Sequence, residues 1–165
     1  MLKQLRTLSN KLVHTKFQHQ WQWLLEFSGP GVKPPTDFDI YAKSIEHGGA
    51  TIEADEKQIG SNTVTSPSHK TAGEITLTIR DNEDARCENF FKELVSRVVN
   101  EDGTVNLPAE YLFKMRMYRL LDNDKKVLYR DWLVWATGYG GFVRSRDERG
   151  TFVSFQVTFR KHSAF

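Results

Sequence analysis

Residues 74–98, EITLTIRDNEDARCENFFKELVSRV, pass from a strand pattern directly into a helix pattern. Ile75, Leu77 and Ile79 alternate with Thr76, Thr78 and Arg80, the period of a half-buried strand. Asp81, Asn82 and Asp84 follow, with side-chain oxygens suited to the free amides of a helix start. Ala85, Phe90, Phe91, Leu94, Val95 and Val98 then fall on one side at helical spacing, and Glu83, Arg86, Glu88, Lys92, Glu93 and Arg97 largely on the other. Asn100 to Gly103 ends the run, which predicts a helix over 83–99. A helix with one apolar stripe must bury it, and the rest of the chain offers mostly strands.

Working outward, residues 17–27 carry the clearest alternation. Phe17, His19, Trp21, Trp23, Leu25 and Phe27 share one face, with Gln18, Gln20, Gln22 and Glu26 on the other. Ser28 to Gly31, then Pro34 and Pro35, end that strand, and Phe38 to Ile45 predicts a shorter one. Past the helix, Tyr111 to Leu121, Val127 to Ala136 and Val153 to Phe159 alternate in turn. Apolar residues on both faces from Trp132 onward predict a strand covered on both sides, and Gly138-Tyr139-Gly140-Gly141 reads as its breaker. The expected fold is mainly β: an antiparallel β-sandwich or barrel of six to eight strands with one flanking helix. Residues 17–165 form its single domain.

Two segments stand apart from this body. Residues 48–73 are poor in aromatics and too long for a loop without a function; they read as a projecting hairpin arm that displays Ile52, Ile59 and Val64, with a floppy insertion as the alternative. Residues 1–16 space Leu2, Leu5, Leu8 and Leu12 three or four apart, with Lys3, Arg6, Lys11 and Lys16 between them and no acid. They predict a short basic amphipathic helix that docks on its own barrel or on a neighbouring subunit; one short helix holds a membrane weakly.

Chemistry leaves little trace. A chain of 165 residues with 39% hydrophobic and 27% charged residues suffices for a real core, and its net charge of +2 is too small to imply nucleic acid. No nucleophile elbow or phosphate loop occurs. His14, His19, His47, His69 and His162 lack ligand spacing, and Cys87 alone builds neither a disulfide nor a zinc cage. Asp122 and Asp124, or Asp147 and Glu148, sit in turns where solvated carboxylates are the rule. We therefore expect no catalytic residue, no cofactor and no metal. Arg144, Arg146 and Arg149, near Arg160 and Lys161, fit a solvated hairpin or a face paired with another subunit better than a single-strand groove, because Asp147 and Glu148 dilute them. No run of eighteen apolar residues spans a bilayer, and Lys3, Arg6 and Lys11 interrupt any signal peptide, so the expected location is the cytosol or something assembled there.

The order of these segments resembles the tail-tube proteins of contractile-tailed bacteriophages, whose fold is shared by the tube protein of type VI secretion. Residues 75–91 are similar to the family's strand, acidic cap and aromatic helix. Residues 129–136 (YRDWLVWA) resemble its penultimate strand, 152–159 (FVSFQVTF) its closing strand and 17–25 (FQHQWQWLL) its first. Residues 48–73 stand where that family has a long interlocking hairpin. The resemblance implies hexameric rings stacked into a tube, with DNA passing through the lumen without specific binding. Its implied partners are copies of itself, other tail or baseplate proteins and the sheath, and its implied location is the virion, assembled in the host cytoplasm. Leu5, Leu8, Leu12, Ile52, Ile59, Val64, Arg144 and Arg146 are the expected inter-subunit residues. Thr137 to Gly140 replaces a Pro-containing turn frequent in the family, and the 1–16 segment exceeds what a plain tube subunit needs. Both leave a baseplate tube-initiator or a tail-terminator ring open.

Overall fold

A computed structural model describes residues 2–163. In chain order the elements are α1 (Leu2–His14), β1 (Trp23–Ser28), α2 (Phe38–Tyr41), β2 (Ala42–His47), β3 (Thr51–Ile59) and β4 (Asn62–Thr71). They continue as β5 (Glu74–Arg80), α3 (Arg86–Ser96), α4 (Pro108–Tyr111), β6 (Phe113–Leu120), β7 (Lys126–Gly140) and β8 (Ser154–Lys161). Six strands form one antiparallel sheet in the order β1-β6-β7-β8-β5-β2, and β3 and β4 pair only with each other.

The alternation of residues 74–80 is realised as expected. Ile75, Leu77 and Ile79 on β5 are fully buried, as are Phe155, Val157 and Phe159 on β8 beside them, to within about 1%. α3 lays Cys87, Phe90, Phe91 and Leu94 on this face. Phe91 sits 6.2 Å from the Phe27 ring, 5.9 Å from Phe38 and 6.0 Å from Phe159, in edge-on geometries that aromatic quadrupoles favour. The helix is shorter than 83–99 because Asp81 and Asn82 begin it late. Asp81 Oδ1 accepts from the Cys87 amide and Asn82 Oδ1 from the Arg86 amide, while Asp84 pairs with the Arg86 guanidinium instead. At its end Arg97 donates to the carbonyls of Pro30 and Gly31, tying α3 to the turn after β1.

β7 organises the curvature. Its first half pairs with β6 up to the rung Phe113↔Val134, and its second half with β8 from Val134↔Lys161 onward. The sheet is thus two half-sheets sharing one 15-residue strand. It curls until its outer strands face each other. The Leu25 amide of β1 donates to Asp39 Oδ1 of α2, and Trp23 of β1 lines a cleft of about 520 Å³ with Lys43, Ile45 and His47 of β2. β1 and β2 do not hydrogen-bond, so the barrel stays open along this seam.

Five expectations are corrected. The 17–27 strand begins only at Trp23, because β1 can extend no further than its one neighbour. β6 turns away after Leu120, whose amide donates to the Gln22 carbonyl. Buried Gln22 instead folds the preceding residues, its Oε1 accepting from the His19 amide at 2.8 Å, which leaves Phe17 63% and Trp21 69% exposed. Residues 38–41 form the helical turn α2 after Asp37, at φ 58°, so the second strand runs 42–47. Tyr111 belongs to α4, and β6 starts at Phe113. Gly138 to Gly140 do not break β7. A bulge between Ala136 and Gly138 lets the strand continue, and the chain leaves it at Gly141, φ 76°. The outer face of β7 is also open, with Leu133 exposed.

Candidate assembly surfaces

Among the described residues no group of three or more His, Cys, Asp or Glu could hold a metal ion, and no helix is long and apolar enough to cross a membrane. Burial pushes the Cys87 thiol up to about 12, aided by the nearby Asp81 carboxylate, so it stays protonated and unreactive. The features that ask for an explanation are unsatisfied surfaces.

The first is backbone edge. β1, β2 and the 126–133 half of β7 each have a strand on one side only. Such edges present unpaired amides and carbonyls that another chain can pair. β1 is partly guarded by Asp39, whose carboxyl is raised above its ordinary range by burial, against the lowering hydrogen bond from Leu25.

The second is the arm. β3 and β4 turn at Gly60-Ser61 and carry no buried residue at all. Gly60, at φ 65°, supplies the backbone this two-residue turn requires. The rungs Ile59↔Asn62 and Lys57↔Val64 put Ile59 and Val64 on one face, whereas Ile52 lies with Ala54 and Pro67 on the other. A lone two-stranded hairpin is marginal in water. At its root Gly73 packs against Gly48 and Gly49, where a Cβ would meet the Gly49 carbonyl oxygen at 2.8 Å, and Lys161 Nζ donates to the Gly48 carbonyl at 2.6 Å.

The third is α1. Leu5, Leu8 and Leu12 lie on one stripe with Leu2 and Val13, and no residue of the helix is buried. A single exposed ion pair, Lys16 with Asp122 at 3.3 Å, links its base to the body, and exposed pairs contribute little. Arg144 and Arg146 are exposed in the irregular segment between β7 and β8. Arg160, on β8, pairs instead with its cross-strand partner Glu74 on β5, at 2.8 Å. The eight expected residues therefore lie on three separate segments, with Ile52 on the opposite face of the arm from Ile59 and Val64.

Sequence reasoning missed one cluster. Where the two half-sheets end, His47, Tyr129, Trp132 and Lys161 meet Arg119 and Arg130. The His47 ring is 5.2 Å from Trp132 and 6.0 Å from Tyr129; Arg130 lies 4.4 Å and Arg119 5.3 Å over Tyr129, and Lys161 5.5 Å over Trp132. Burial, then Lys161 and Arg130, holds the His47 imidazole below its ordinary value. The signal lay in aromatic and basic residues at inward-facing positions of strand ends, but only the register brings them together.

No protein-family model matches the sequence, and no curated protein matches it significantly. Solved structures do match. The chain superposes on a component of the sheath–tube complex of an extracellular contractile injection system in its extended state, with a TM-score of 0.60 and 10% identity over 94% of each chain. A component of that system's sheath/tube terminator gives 0.62 and 11%, over 91% of this chain and 96% of that one. One from the 6-fold symmetrised baseplate of the anti-feeding prophage gives 0.60 and 11%, over 90% and 94%. The chain has a tail-tube-type fold. The likeness runs over nearly the full length of the chain, while identities of 10–11% make it a likeness of architecture alone.

Proposed function

We infer that this chain is a structural subunit of a contractile-tail assembly, forming rings through its strand edges and joining ring to ring through the β3–β4 arm. The observation that carries this reading is the arm: two paired strands, of 9 and 10 residues, with no buried face have no purpose within one molecule. Open edges on β1, β2 and β7 supply the lateral contacts. We take the ring to be hexameric, by analogy with the 6-fold baseplate whose component shares the fold. Stacking head to tail is a heterologous contact that does not close, so it yields a tube. The lumen passes DNA without specific binding, the partners are sheath, baseplate and other tail proteins, and the location is the virion, assembled in the host cytoplasm. No catalysis is assigned to it.

The second reading, an initiator or terminator ring, is favoured by the free basic helix α1 and by a likeness to a component of a sheath/tube terminator, at 0.62, that matches the likeness to a component of a sheath–tube complex, at 0.60. Electron microscopy of the purified protein separates them. Tubes of stacked rings identify the repeating subunit; single rings identify the initiator or terminator. A chain that stays monomeric at every concentration and salt overturns both. Deleting residues 50–71 leaves a folded chain that no longer stacks, and unimpaired tubes from that deletion remove the arm as connector.

A further inference from the structure

We propose that α1 of one copy docks on the Val99–Leu107 loop of a second copy, its leucine stripe against Val99, Val105 and Leu107 and its cations against Glu101, Asp102 and Glu110. The inference rests on the self-assembly reading and names a contact that reading lacks.

The two surfaces are complementary in both respects that matter. On a helical wheel Leu2, Leu5, Leu8, Leu12 and Val13 occupy one arc interrupted only by Ser9, and Lys3, Arg6, Lys11 and His14 occupy the opposite one. Residues 2–16 contain no acid, and residues 98–112 contain three acids and no base. Like charges oppose pairing of two such helices with each other, so the stripe needs an acidic apolar host. In the loop, Val99 bridges Val105 antiparallel and Leu107 follows two residues on, leaving Val105 67% and Leu107 68% exposed on one side.

This platform is built before anything docks. Asn106 Nδ2 donates to the Arg97 carbonyl at 2.7 Å, and Asn100 Nδ2 donates to Asn106 Oδ1 at 2.8 Å. Two of its three acids are held as well. Asp102 Oδ1 accepts from the Thr104 hydroxyl and amide, and Glu110 Oε2 from the Leu107 amide at 3.1 Å. The nearest base, Arg97, is engaged by Glu93 and by two carbonyls. Several other exposed apolar residues have bases near them in the chain, Val143 and Phe152 with Arg144, Arg146 and Arg149, and Val127 and Leu128 with Lys125, Lys126 and Arg130, while Ile40 and Ile52 have acids beside them but no second exposed large apolar residue within two positions.

Distance selects a second copy over the chain's own loop. α1 leaves the body at the β6–β7 tip, where Lys16 meets Asp122 and the Gln22 carbonyl accepts from Leu120. The loop precedes the opposite end of β6, eight residues and about 25 Å away, farther than the roughly 20 Å that thirteen helical residues span.

Mixing full-length Leu8→Cys with full-length Val105→Cys under mild oxidation tests this, since buried Cys87 does not compete. We expect a disulfide-linked heterodimer, identified by mass spectrometry of the linked peptides. It is lost when Glu101→Lys and Asp102→Lys are added to the Val105→Cys chain and restored when the Leu8→Cys chain also carries Lys3→Glu and Arg6→Glu. Absence of the heterodimer, or a crosslink only within one chain carrying both cysteines, overturns the proposal. Rings seen by microscopy without that crosslink sink this contact and leave the assembly reading standing.

Discussion

Ile75, Leu77 and Ile79 on β5 lose all exposure to solvent, whereas Ile52 and Ile59 on β3 keep about two-thirds of theirs. Both strands are antiparallel and of similar length, and only β4 with a two-residue glycine-containing link on each side separates them. What differs is the supply of neighbours. β5 lies between β2 and β8 and under α3, so its alternation is resolved within the molecule. β3 has β4 and nothing more. A strand pattern states what a side chain needs, and the topology decides whether the same chain provides it.

The sharpest way to break this contrast is to truncate both sides of it. Phe91→Ala costs about 3–5 kcal/mol in urea unfolding, because a fully buried ring leaves a cavity among other rings. Next comes the arm's root. Gly73→Ala pushes a Cβ into the Gly49 carbonyl and costs about 1–3 kcal/mol, read from the same unfolding curves. A smaller effect comes from His47, which packs against Trp132 and Tyr129 and faces Lys161 and Arg130. Its folded pKa lies below the ordinary 6.5, so the unfolded chain takes up the proton first. Stability is therefore present above pH 6.5 and lost as pH falls through the folded value. His47→Gln removes that part of the decline, and equal pH profiles for the two chains refute the assignment. Smallest of all, Ile59→Ser changes the unfolding free energy of the isolated chain by less than about 0.5 kcal/mol, since the side chain is already exposed. A loss comparable to that of Phe91→Ala would mean the arm is part of the core.

Legibility in the sequence followed the same divide. β5, α3, β6 and β8 were readable because each carries its own period and is buried by what lies near it in the fold. The arm and α1 were readable from length and leucine spacing. Phe17, His19 and Trp21 misled, since their alternation is as regular as that of β5 but β6 has no residues left to pair with them. Gly138 and Gly140 misled for the opposite reason. Pairing with β8 carries the backbone through glycines that would break an unsupported strand. Cross-strand supply is non-local, and so is the His47–Trp132–Lys161 cluster.

The shared strand β7 has a mechanical consequence. Because one continuous backbone belongs to both half-sheets, pulling them apart loads covalent bonds instead of opening a row of hydrogen bonds one rung at a time. The weakest line under tension within the molecule is then the seam between β1 and β2, which no ladder of hydrogen bonds closes.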